Sequence, residues 1–222
     1  MKKEKFGGAA EKRTSLFGPL EKKFVDKFTP FVPKFLETYH LTYMTVLWSA
    51  LIILFSFFAG SDINWLWLVS LMIFLQYISD LFDGSVGRYR NTGLIKWGFY
   101  MDHFLDYIFL SAILIGYSLI LPVGFDYSIL IILVIFGSFM VNSYLSFAAT
   151  NKFEIDFLMI GPTEIRFIFI IINTLIILFG KTYMAVALPY VLGFSFLGLV
   201  VIVYKTQRKI WKIDEANKGE NI

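Results

Sequence analysis

Four aspartates at fixed spacings stand between residues 80 and 106. They occur in Asp80-Leu-Phe-Asp83-Gly84-Ser-Val-Gly87-Arg88 and, nine residues later, in Gly98-Phe-Tyr-Met-Asp102-His-Phe-Leu-Asp106. Asp80 and Asp83 are three apart, and Asp102 and Asp106 four apart, so on helices each pair shares a face. Long apolar runs flank both segments, which places the acids in membrane helices. An unpaired aspartate at the centre of such a helix costs roughly 2.5–3.5 kcal/mol. Four are not tolerated without a partner, and a carboxylate inside a membrane marks a functional site by default. Hard divalent cations are the natural partner. Two ions of magnesium or manganese balance four carboxylates, bridge phosphate oxygens and stabilise charge on a leaving group. One carboxylate then remains to take a proton from an acceptor hydroxyl. Arg88 is placed to hold a phosphate.

The elements that position these residues follow from composition and periodicity. Hydrophobic residues make up 57% of the 222-residue chain and aromatics 19%, with mean hydropathy +0.68. That exceeds a soluble domain and predicts an integral membrane protein. Apolar spans are expected over about 41–59, 63–86, 92–121, 127–150, 162–179 and 184–204. Each reaches or approaches the roughly 20 residues a bilayer requires. The expected fold is therefore an all-α integral membrane protein with six transmembrane helices and an N-terminal interfacial amphipathic helix.

Four segments follow from this. Residues 1–14 read as a flexible, basic cytosolic tail. Residues 15–39 alternate phenylalanine and lysine at helical spacing, interrupted by Pro30 and Pro33, as suits an amphipathic segment in the headgroup layer. Residues 40–205 form the six-helix catalytic domain, with no room for a separate soluble one, and 206–222 a basic cytosolic tail. No signal peptide is expected, because the first long apolar run begins only near Leu41.

Loop charge orients the spans. With an inside amino terminus, all 20 Lys and Arg except Lys181 fall on the inner side, which places both termini and the aspartates in or near the cytosol. Trp65 and Trp67 then sit near the outer end of span two, as interfacial anchors do. If span three enters the membrane near Gly98, Asp102 and Asp106 lie about 6 and 12 Å further in. The chain contains no cysteine, which excludes disulfides, thiolate nucleophiles and zinc–cysteine sites. His40 and His103 are too far apart in sequence to form a paired metal motif. Nucleic acid is not among the expected partners.

The pattern from Asp80 through Asp83, Gly84 and Arg88 to Gly98, Asp102 and Asp106 resembles the signature of the CDP-alcohol phosphotransferase family. One position departs: Gly87 stands where the family usually has alanine, small for small. The resemblance implies transfer of a phosphoalcohol unit from a CDP-alcohol to an acceptor hydroxyl, with release of CMP, in phospholipid biosynthesis. It implies that Asp80, Asp83 and Asp102 carry metal, and that Asp106, counted with these ligands, activates the acceptor hydroxyl. Asp80, Asp83, Gly84, Gly87, Arg88 and Gly98 would bind the CDP-alcohol, the glycines by letting the nucleotide and a neighbouring helix approach closely. Packing between helices is the plainer role for those glycines. A homodimer is also implied. Two donor logics stay open: a CDP-linked lipid with a small alcohol acceptor, or a CDP-choline or CDP-ethanolamine type donor with a lipid alcohol acceptor. Arg90, Lys96, Lys152 and Arg166 are the cations available to a phosphorylated acceptor. His40 opens span one where many family members have Pro-Asn, which leaves that span's part in nucleotide binding open.

Gly161-Pro162-Thr163-Glu164-Ile165-Arg166 opens span five on the same side as the aspartates. Proline at a helix start and glutamate in the first turn are ordinary capping chemistry. The alternative is acceptor recognition by Thr163, Glu164 and Arg166, since an arginine one turn inside a membrane needs an anionic partner. Asn142, Ser143 and Asn173 read as interhelical hydrogen bonds, and His103, about 100° from Asp102 on a helix, as packing or a hydrogen bond. A transporter is the rival from another class. Transporter sites lie near the midplane on broken helices within repeats, whereas these acids cluster at one end and no repeat is visible.

Overall fold

A computed structural model of the chain describes residues 17–122, 124–153 and 161–220. The tail expected over 1–14 lies outside the described residues. Seven α-helices follow in order: α1 (Gly18–Phe28), α2 (Thr38–Ala59), α3 (Leu66–Arg90), α4 (Ile95–Ile120), α5 (Asp126–Thr150), α6 (Pro162–Phe179) and α7 (Lys181–Glu220). Six of them, α2 to α7, are long and apolar enough to cross a membrane. The chain is thus all-α among its described residues and carries the six expected spans.

Their ends differ from the sequence reading in three places. Span two runs to Arg90 and span three begins only at Ile95. Asn91 adopts a left-handed conformation (φ 54°), and the Thr92 N–H bonds back to the Gly87 carbonyl at 3.1 Å. Together these stop α3 as a Schellman cap does. The segment expected as a tail after residue 205 instead continues α7 as far as Glu220.

α2 packs along both α3 and α4, whereas the backbones of α3 and α4 approach each other little. α6 closes against α3, and α5 and α6 against α7. Ile52, Leu66, Ile73, Ile113 and Val69 fill the contact between α2, α3 and α4 with 2% exposure or less. A stripe of small polar residues on α2, Thr38, Thr42, Thr45, Ser49 and Ser56, is buried in the same contact. Small residues let membrane helices approach closely. Outward faces carry large apolar side chains such as Leu54, Phe57, Leu145, Phe194 and Val200, as lipid contact requires. Trp67 is exposed as an anchor would be. Trp65 instead stacks on Phe55 at 5.8 Å and packs on Phe58 at 5.0 Å.

α1 is clasped to the bundle. Val25 and Glu21 turn inward, and Tyr77 on α3 donates a 3.1 Å hydrogen bond to Glu21. Leu20, Phe24 and Phe28 form an exposed apolar row. Arg90 secures the link to α2: its guanidinium donates to the carbonyls of Leu36 (2.6 Å), Val32 (3.0 Å) and Pro33 (3.0 Å). It also lies 3.5 Å from Glu37.

Candidate active site

The space between α3 and α4, backed by α2 and closed by α6, collects the carboxylates. Asp102 lies within electrostatic reach of Asp80, Asp106 and Asp83, so all four acids form one cluster. α3 supplies Asp80 and Asp83 from the face turned into the bundle, and α4 supplies Asp102 and Asp106 one turn apart.

Each acid has a different setting. Asp83 is 5% exposed, and its Oδ2 accepts a 2.6 Å hydrogen bond from Thr42 on α2. Its Oδ1 is buried without a hydrogen-bond partner among the described residues. Asp80 and Asp106 share the Arg166 guanidinium, whose Nη2 lies 3.2 Å from Asp80 Oδ2 and 2.9 Å from Asp106 Oδ1. Asp102 Oδ2 is 3.1 Å from His103 Nδ1.

Arg166 comes from the first turns of α6 and is 4% exposed. Its guanidinium also lies 5.8 Å over the Phe109 ring of α4. Arg166 thus has the anionic partner that its depth demands, and the partner is the aspartate cluster. Glu164 does the capping work: its Oε2 accepts the Gly161 N–H at 2.8 Å. Thr163 is buried beside it. Glu164 thus caps the helix as expected, and Arg166 pairs with the acids of the cluster.

The glycines also separate. A Cβ at Gly87 would meet Thr38 Oγ1 at 2.8 Å, so this position serves the close approach of α2. A Cβ at Gly84 would meet the Arg88 guanidinium at 3.2 Å. Arg88 curls back over it and donates to Ser85 Oγ at 3.0 Å. A Cβ at Gly98 would meet nothing within 4 Å among the described residues. Helix packing therefore accounts for Gly87, while no neighbouring helix among the described residues fills the space at Gly84 and Gly98.

Thr42 and Gln76 were not anticipated at the site, whereas His103 packs and hydrogen-bonds as the sequence reading expected. Thr42 orients Asp83, and the Thr38–Thr42–Thr45–Ser49 spacing on span one was the available signal. His103 stacks with Phe153 at 4.5 Å and contacts Phe99 at 4.4 Å, and its carbonyl accepts from the Tyr144 hydroxyl at 3.0 Å. Gln76, one turn before Asp80, is fully buried, and neither amide atom has a partner among the described residues. An unmet buried polar group costs about 1–3 kcal/mol. His40 accepts the Glu37 N–H at 3.1 Å and so caps its own helix.

The donor set fits a hard divalent cation. Three carboxylates lie within electrostatic reach of Asp102, one buried oxygen of Asp83 has no partner among the described residues, and a guanidinium bridges Asp80 and Asp106. Oxygen ligands of this kind suit magnesium or manganese. One further grouping, Asp102, His103 and Asp106, brings three potential ligand atoms within 4.8 Å of one another.

A family model described as CDP-alcohol phosphatidyltransferase matches residues 37–197. The match spans α2 to α6 and the first part of α7, and so includes every residue of the acidic cluster. No match was found among curated proteins or among solved structures.

Proposed function

Because the chain belongs to the CDP-alcohol phosphatidyltransferase family, we propose that it moves a phosphatidyl unit from a CDP-linked lipid to a small alcohol and releases CMP. The family's reaction is phosphoalcohol transfer from a CDP-alcohol in phospholipid synthesis. The observation that carries the finer reading is the convergence of Asp80, Asp83, Asp102, Asp106 and Arg166 from three helices at one end of the bundle.

Asp80, Asp83 and Asp102 are the residues that would hold magnesium or manganese, with Asp106 at the edge of the set. A metal bound there supplies charge neutralisation to the diphosphate and to departing CMP. Thr42 keeps Asp83 turned into the site. Arg88, exposed near the end of α3, and the open edge at Gly84 receive the nucleotide's phosphates. Asp106, deepest of the acids along α4, takes the proton from the acceptor hydroxyl. Arg166 holds Asp106 in position and brings positive charge to the place an anionic acceptor would occupy. Arg90 is engaged with backbone carbonyls and leaves the group of acceptor-binding candidates.

The charge distribution supports placing this end, with both termini, on the cytosolic side. Cysteines introduced at 92 and 218 should then react together from one side of sealed vesicles, and a cysteine at 181 only from the other. Residue 92 reacting with 181 would reject the orientation.

The decisive experiment is CMP release by the purified protein from CDP-diacylglycerol with small alcohols, and from CDP-choline with diacylglycerol. Turnover of the first pair alone is expected. Turnover of the second alone would replace this reading with the lipid-acceptor one.

A further inference from the structure

Gln76 takes no part in the chemistry just described, yet its placement is specific. It is 0% exposed, and both Nε2 and Oε1 lack hydrogen-bond partners among the described residues. The nearest hydroxyl along the helix is committed elsewhere: Ser79 Oγ donates to the Leu75 and Gln76 carbonyls and accepts from Trp48 Nε1 at 3.2 Å. At about 100° per residue, Gln76 projects between Asp83 and Asp80 on α3. It lies one turn, about 6 Å, further toward the membrane centre than Asp80. Side chains lean toward the helix N-terminus, so the amide sits on the membrane side of the carboxylates. Hydrocarbon chains alone would leave it unmet.

We propose that Gln76 reads the glycerolipid: its Nε2 donates a hydrogen bond to an ester carbonyl on the glycerol unit that carries, or receives, the phosphate. This rests on the function proposed above. The phosphate is held at the level of Asp80 and Asp106. In a CDP-linked diacylglycerol, an ester carbonyl follows the phosphate within a few bonds, a reach comparable to one helical turn. In a diacylglycerol acceptor the same ester flanks the reacting hydroxyl, so both donor logics present the same chemistry to Gln76. The amide Oε1 accepts from a water carried in with the headgroup. Because no group among the described residues meets the amide, this bond forms only in the loaded site, once the lipid has entered between the helices. Its loss is therefore read in lipid kinetics and not in the stability of the free protein.

The test compares ester and ether lipids, which differ by the carbonyl oxygen. CMP release is measured with CDP-dioleoylglycerol and its dialkyl ether analogue, each with glycerol phosphate. A second arm uses dioleoylglycerol and its ether analogue, each with CDP-choline. The parent protein should prefer the ester about tenfold in kcat/KM, the worth of one hydrogen bond. Gln76→Met, which keeps the side-chain length, should equalise the two lipids with no fall in Tm. Equal treatment of ester and ether by the parent overturns the proposal without any variant being needed. So does an equal loss by Gln76→Met on both lipids, or a fall in its Tm with the ester preference intact. A parent protein inactive in both arms refutes the transferase reading itself, and the Gln76 assignment falls with it.

Discussion

Two buried polar clusters lie in the same helix bundle, and they differ in what they leave unmet. Near the ends of α3 and α4 expected to face the cytosol, two of the four carboxylates, Asp80 and Asp106, share one buried arginine, and one oxygen of Asp83 has no hydrogen-bond partner among the described residues. Toward the opposite end, Tyr117 donates to Asn173 Oδ1 at 2.9 Å, and Asn173 Nδ2 donates to Ser70 Oγ at 3.0 Å. That second cluster is neutral, ties α3, α4 and α6 together, and leaves neither end of the Asn173 amide unpaired. Both break the apolar pattern of their spans. A polar group whose bonds are closed within the protein holds helices together. A group with surplus charge and open lone pairs is held ready for something else.

Removing metal should separate the two clusters most sharply. Chelation with EDTA is expected to bring CMP release to background, and magnesium or manganese to restore it, since on the proposed reading the acidic cluster needs an added cation and the neutral one does not. Full turnover in metal-free buffer would show that the carboxylates balance their charge in another way.

Asp106→Asn comes next in size. Asparagine keeps the shape and an acceptor oxygen but takes no proton at neutral pH, so kcat should fall about 100–10,000-fold. Donor binding, measured by calorimetry, should largely survive. Asp83→Asn should instead weaken metal and donor binding together, with no loss of Tm because it reduces like charge in the cluster. Equal loss of donor binding in both variants would make Asp106 chiefly a ligand.

Arg166→Leu probes the cation that the acids share. Loss of a charge-assisted hydrogen bond to an anionic acceptor is worth about 1.5–3 kcal/mol, roughly a ten- to hundredfold rise in acceptor KM. Donor affinity should change far less. An acceptor KM equal to the parent's would confine Arg166 to balancing Asp80 and Asp106.

The smallest effect on chemistry belongs to the neutral cluster. Asn173→Leu strands Ser70 and one bond of Tyr117, and should cost about 1–3 kcal/mol of stability. Thermal melting in detergent reads that loss, while turnover per folded molecule stays at the parent's value. A large fall in kcat without a fall in Tm would erase the distinction between the clusters.

The spans and the aspartate faces were legible in the sequence because both depend on short-range rules. Helical periodicity puts Asp80 with Asp83 and Asp102 with Asp106 on common faces, and bilayer thickness sets the length of an apolar run. Asn142 and Asn173 were legible as interhelical bonds for the same reason: an amide in an apolar span must find a partner, and Asn142 does so with Thr206 at 3.2 Å. Span ends were less legible, since the Schellman cap at Asn91 and the continuation of α7 depend on local backbone geometry that hydropathy does not register.

What only the tertiary structure decided was which distant groups meet. α2 stands against both motif helices and brings Thr42 to Asp83, 41 residues away in sequence. α6 delivers Arg166 to Asp106 across 60 residues, whereas Arg90, which in sequence offered the same charge, is drawn off to backbone carbonyls. Gly87 packs on Thr38 while Gly98 meets no neighbour among the described residues, although both are small residues in one motif. Gln76 carries no signal in an apolar run until its surroundings show that nothing among the described residues answers its amide. These outcomes depend on how helices pack across the bundle, and long-range contacts of that kind leave no period in the chain that forms them.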